Sequence, residues 1–157
     1  MGHERAAGFT LVELLVVLVI IGVVATTIAV TATRDDGAER AVERLRMVLE
    51  LAAERAEITG TSLAVEFVPG GYRFSRFEPG GHWLPMTGEP LFAEQRSDSV
   101  LVWRKLELEG AAAPLRLVFS STMPAFVLHV GVPTGERRLL GTPTGTVALL
   151  RGAEVAP

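Results

Sequence analysis

The 157-residue chain has no cysteine, two tryptophans, one tyrosine and three histidines. Without cysteine it can form neither a disulfide nor a thiolate metal site, and so few histidines make a transition-metal centre improbable. Lysine is nearly missing as well: Lys105 stands alone, and the other basic residues are arginine. The 15 basic residues are outnumbered by 18 acidic ones, for a formal net charge of −3. A nucleic-acid surface shows a basic patch or stripe, so nucleic acid is not expected among the partners. No glycine-rich phosphate-binding motif occurs, so energy for any mechanical work must come from another protein.

What the chain does have is concentrated near its start. From Leu14 to Thr33 there is no charge, and a helix of that length spans roughly 30 Å, about a bilayer core. Glu13 stands at the head of this run. A carboxylate inside a membrane helix costs about 2.5–3.5 kcal/mol on insertion scales, so it calls for a partner and a purpose. A cleaved secretory signal is one reading, with Val30-Thr31-Ala32 imitating a small-residue cleavage site. The uncharged run is longer than the usual apolar core of about 7–15 residues, and Glu13 works against insertion. A plain anchor suits the length and leaves Glu13 unexplained.

A third reading uses every feature. A short hydrophilic leader containing His3, Glu4 and Arg5 ends in Gly8, Phe9 follows, and Glu13 is the fifth residue after that glycine. This resembles the type IV pilin signature shared by type IV pilins and type II secretion pseudopilins. The resemblance implies that a prepilin peptidase cuts after Gly8 on the cytoplasmic side and that the new amine on Phe9 is methylated. It also assigns Glu13 to subunit assembly. The chemistry is coherent, because an ammonium packed among apolar helices without a counter-charge is strongly disfavoured. Glu13 can supply that charge to its own terminus or to a neighbour's.

Beyond the run, Arg34-Asp35-Asp36-Gly37 marks an exit from apolar surroundings. Asp36 with Glu39 resembles a capping box, and helix and anchor together are expected to make one long rod, bent near Gly37. Ala38, Val42, Leu45, Leu49, Ala52 and Ala56 recur at spacings of three and four, one apolar stripe, and Gly60 suits a stop. A sheet of the chain's own domain is the expected partner for that stripe, with a coiled coil as the alternative. Strand patterns follow over 62–68, 72–77, 100–103 into 106–109, 115–119, 126–130 and 146–150, separated by proline and glycine turns. The expected fold class is α+β and pilin-like, a long N-terminal helix on an antiparallel β-sheet or sandwich. The expected organisation is a leader over 1–8, a transmembrane and assembly helix over 9–33, its amphipathic continuation over 34–60 and a periplasmic β domain over 61–157.

Side chains with chemical potential are scattered. Ser120 or Ser121 with His129 is the nearest approach to a hydrolytic pair, and a packed histidine beside turn serines is the expected reading. Glu89, Glu94 and Asp98 lack EF-hand spacing, so an ordinary solvated loop is expected instead of a calcium site. His82 is expected to be exposed. Trp83, Trp103, Met86 and Met123 are the residue types enriched at interfaces, but Trp103 is expected in the core. No catalytic residue, cofactor or metal is assigned, and the chain is not expected to be an enzyme.

The later segments are similar to the minor pseudopilin H family of type II secretion. They include Ala53 to Gly60 at the helix end, Gly71-Tyr72-Arg73-Phe74 with Trp83 nearby, Leu117-Val118-Phe119-Ser120, and a turn over 141–145. Where the family usually has a glycine between the late strands, this chain has Ser121-Thr122-Met123-Pro124. The resemblance implies a structural subunit at the pseudopilus tip. Implied partners are other minor pseudopilins of the I, J and K types, the major pseudopilin, the prepilin peptidase and the inner-membrane assembly platform. Secreted substrates are candidate partners too. The expected location is the bacterial inner membrane, single-pass, with the β domain in the periplasm. A minor type IV pilin for pilus assembly or DNA uptake is the alternative, and a secreted hydrolase the reading from another class.

Overall fold

The structure, a computed structural model, describes residues 11–96 and 101–151, with side chains described for all of these except 22–36. The chain divides into two compact units, Met1–Arg34 and Asp35–Pro157. One helix, α1 (Leu11–Thr59), is followed by ten strands: β1 (Leu63–Val68), β2 (Gly71–Phe77), β3 (Trp83–Pro85), β4 (Gln95–Arg96), β5 (Val102–Leu108), β6 (Ala111–Ala113), β7 (Arg116–Phe119), β8 (Phe126–Val132), β9 (Gly135–Gly141) and β10 (Val147–Arg151). The α+β class expected from the sequence, a long N-terminal helix with antiparallel sheets, is present.

The continuation of the helix past Thr33, expected over 34–60, is present as well. α1 runs unbroken from Leu11 to Thr59, so the backbone at Asp36 lies inside the helix and the capping-box pattern there marks no helix end. Glu39 is engaged elsewhere, as described below. The helix ends as expected: Gly60 takes a φ of +64°, the left-handed conformation that closes helices most easily on glycine.

In the second unit every strand pairing is antiparallel. One sheet has the order β3-β2-β1-β7, with β4 also paired to β2; the other has the order β10-β9-β8-β5-β6. Residues 38, 42, 45, 49, 52 and 56 of the helix stripe are all buried. They share one apolar cluster with Val65, Phe74 and Leu117 of the first sheet and Leu106, Leu128 and Leu139 of the second. The stripe therefore meets the chain's own sheets. Each fully buried leucine or valine in it contributes roughly 1.5–3 kcal/mol.

Trp103 ties the two sheets together. From β5 its ring packs on Phe67 of β1 at 5.1 Å between centroids, and its indole N–H donates to the carbonyls of Val68 and Gly71 at 2.7 and 2.9 Å. A register shift between Trp103 and Lys105 makes Arg104 the extra residue of a bulge. This explains how Trp103 and Leu106, three residues apart, both turn toward the core. Met86 and Met123 are buried there too, so neither is a surface contact.

Candidate functional site

The candidate site residues from the sequence lie at the start of the chain. Gly8 and Phe9 fall outside the described residues. Glu13 lies in the first described turn of α1, where a carboxylate complements the helix dipole, and it is exposed. Around it the apolar residues from Leu11 to Ile21 are 43% to 80% exposed, on all sides of the helix. A helix that is apolar all round belongs among lipid chains or other helices. Among the described residues, no helix is long and apolar enough to cross a membrane.

Further along, α1 is fastened to the sheets by polar contacts that composition did not reveal. Arg137 of β9 grips Glu39 with two nitrogens: Nε donates to Oε2 at 3.3 Å and Nη2 donates to Oε1. The Thr134 hydroxyl donates to the same Oε1 at 3.2 Å and accepts from Arg137 Nη2 at 3.0 Å. The Arg137 hydrogen bond holds the Glu39 carboxyl below its ordinary range; partial desolvation opposes this, and the charge of Arg137 and the hydroxyl of Thr134 add to it.

Two turns on, Arg46 binds Glu43 and Glu50, each at 2.8 Å. Glu50 Oε1 accepts the backbone N–H of Val147 at 2.9 Å, and Arg46 donates to the Val147 carbonyl at 3.4 Å. The pair thus closes the outward-facing N–H and C=O of Val147, the first residue of edge strand β10. Near the helix end, Arg55 bridges to Glu89 at 2.7 Å and lies 5.5 Å from the centre of the Phe92 ring. These contacts hold the loop between β3 and β4 against the helix.

The scattered candidates do not converge. The Ser120 hydroxyl donates to the Thr122 carbonyl, whereas His129 directs Nδ1 to Glu136 at 2.8 Å and Nε2 toward Glu107 at 3.6 Å. His129 is therefore flanked by carboxylates on the outer face of its sheet. The Lys105 ammonium, hydrogen-bonded to Glu107 at 2.7 Å, holds that carboxyl low in pKa. Glu89 and Glu94 are paired with Arg55 and Arg96, and Asp98 lies outside the described residues. Among the described residues no group of three acidic or histidine side chains is placed to hold a metal. His82 is exposed in a glycine turn; Trp83 is half-buried under Arg116, whose guanidinium sits 4.6 Å over the ring.

Residues 5–29 match the prokaryotic N-terminal methylation motif. The chain is 29% identical over 115 residues to type II secretion system protein H of Aeromonas hydrophila, covering 70% of this chain and 62% of that protein. It is 31% identical over 93 residues to type II secretion system protein H of Escherichia coli K12, covering 55% of this chain and 54% of that one. The matches thus span less than two thirds of the length of these relatives. The fold is similar to the crystal structure of the minor pseudopilin EpsH from the type II secretion system of Vibrio cholerae, at a TM-score of 0.63 and 19% identity over 78% of this chain and 99% of that one. It is also similar to the solution structure of Escherichia coli GspH, at a TM-score of 0.58 and 16% identity over 78% of this chain and 94% of that one. The chain carries a prepilin-type N-terminus, resembles type II secretion system protein H in sequence, and has the fold of the minor pseudopilins EpsH and GspH.

Proposed function

We propose that the chain is a minor pseudopilin of a type II protein secretion system, a structural subunit and not an enzyme. One pairing of observations carries this reading: an N-terminal methylation motif precedes a domain with the minor-pseudopilin fold. In this account prepilin peptidase cuts after Gly8, Phe9 becomes the methylated terminus, and residues 9–33 span the inner membrane. The β domain faces the periplasm. The mature helix then enters a pseudopilus alongside other minor pseudopilins and the major pseudopilin on the inner-membrane platform, helping to initiate the fibre that exports folded proteins. The free amine of Phe9 requires a counter-charge among apolar helices, and Glu13 supplies it.

Replacing that acid tests the assignment. Glu13→Ala leaves cleavage largely intact and lowers recovery in purified pseudopili more than tenfold, since an uncompensated buried charge costs about 3–5 kcal/mol. Mature-length protein is counted in the membrane and fibre fractions. Undiminished incorporation removes the role given to Glu13.

A further inference from the structure

A second face of α1, distinct from the buried stripe, is left uncovered by the sheets. Met47 and Ile58 are exposed and Leu51 is half-buried between them. Opposite stand Pro90 and Leu91, in the loop that Arg55 holds through Glu89 and Phe92. Two hollows of about 480 and 360 Å³ share Leu51, Pro90 and Leu91, making one continuous apolar furrow from Arg44 to Ile58. At 1.5 Å per residue it is roughly 21 Å long, about four helical turns.

Positions 44, 47, 51, 54 and 58 follow the alternating spacing of three and four by which one helix seats another. Charge divides the furrow. Arg44 stands at one end and Glu54 at the other; both are exposed and neither has an ion pair among the described residues, whereas Arg55 and Glu89, which also line the Glu54 end, are paired with each other. The two ends therefore ask opposite charges of whatever lies between them.

We propose that this furrow seats the helix of a different chain, rooted in the same membrane. The partner helix carries a basic residue beside Glu54 and an acidic residue beside Arg44. The direction rests on the pseudopilin reading: a helix anchored in the same membrane runs parallel to α1. In an in-register parallel pair a second copy sets Arg44 against Arg44 and Glu54 against Glu54, and like-charge juxtaposition disfavours it. Apolar anchors at Met47, Leu51 and Ile58 supply the contact, and the charges select the partner and its register.

Because the native chain has no cysteine, one introduced thiol reports one position. Ile58→Cys and Leu91→Cys, on the furrow, and Phe77→Cys, exposed at the end of β2 and outside both hollows, are made in the full-length chain. Each is expressed in its membrane with every pilin-class subunit encoded beside it, each subunit carrying one cysteine in its helix. A bismaleimide then fixes contacts. The expected result is a hetero-adduct with one subunit from Ile58→Cys and Leu91→Cys but not from Phe77→Cys. Glu54→Arg lowers it about fivefold, the effect of an exposed charge pair, and changing the facing basic residue of the captured helix to Glu restores it. Homodimeric adducts, equal adducts from Phe77→Cys, no adduct at all, or indifference to Glu54→Arg overturn the proposal. Mature length is scored in the same samples. A normally processed chain without the hetero-adduct overturns the furrow proposal alone, whereas an unprocessed chain overturns the pseudopilin reading and this proposal with it.

Discussion

Glu39 shows how much depends on one acid that pattern-reading placed in a capping box. In the fold it is the anchor of Arg137 and Thr134, whose side chains reach α1 from the end of the β8–β9 hairpin. A carboxyl whose folded pKa is depressed stabilises the fold above its unfolded value, about 4.3, and loses that contribution as pH falls through the lower folded value. Glu39→Gln is expected to destabilise by about 1–2 kcal/mol at neutral pH. The gap from wild type then closes as the solution is acidified below the ordinary carboxylate range, as followed by urea unfolding across pH. Gly141 is constrained in another way. A Cβ there would stand 2.0 Å from the ring of buried Phe126, so Gly141→Ala is expected to destabilise by about 1–3 kcal/mol, with partial rescue by Phe126→Leu. Glu109 takes a φ of +50° beside Gly110 in the two-residue β5–β6 turn. Glu109→Gly is therefore expected to raise stability by about 0.5–1 kcal/mol in the same assay.

At the scale of elements, α1 was the most legible part of the sequence because its stripe has an unambiguous period. Leu49, fully buried in that stripe, is expected to cost about 2–5 kcal/mol on change to alanine, measured by thermal or urea unfolding. Strands with clear alternation, such as β1 and β8, were legible for the same reason. β9 was not. Its Glu136-Arg137-Arg138 triplet breaks the alternation, because Arg137 serves the helix while Glu136 serves His129. The short strands β3, β4 and β6 contain too few residues for any periodicity. The bulge at Arg104 likewise shifted the phase on which the sequence reading of β5 depended. The polar fastenings between helix and sheet join residues about a hundred positions apart, and no local pattern announces them.

At the scale of the molecule, the apolar cluster beneath both sheets lies wholly within the unit Asp35–Pro157. That unit is expected to fold without the preceding residues, giving one cooperative thermal transition with near-ultraviolet circular dichroism from Trp103 in its fixed setting. The fold resembles the minor pseudopilins, but the activity assigned to the whole chain rests on what happens at its first residues. The roles proposed for Gly8 and Phe9 rest on a motif alone, since no packing argument reaches them. The most direct test is mass spectrometry of the N-terminus of the mature protein, isolated from a host with an active prepilin peptidase. The account predicts a chain beginning at N-methylated Phe9; a chain beginning near Arg34, or one retaining residues 1–8, would contradict it.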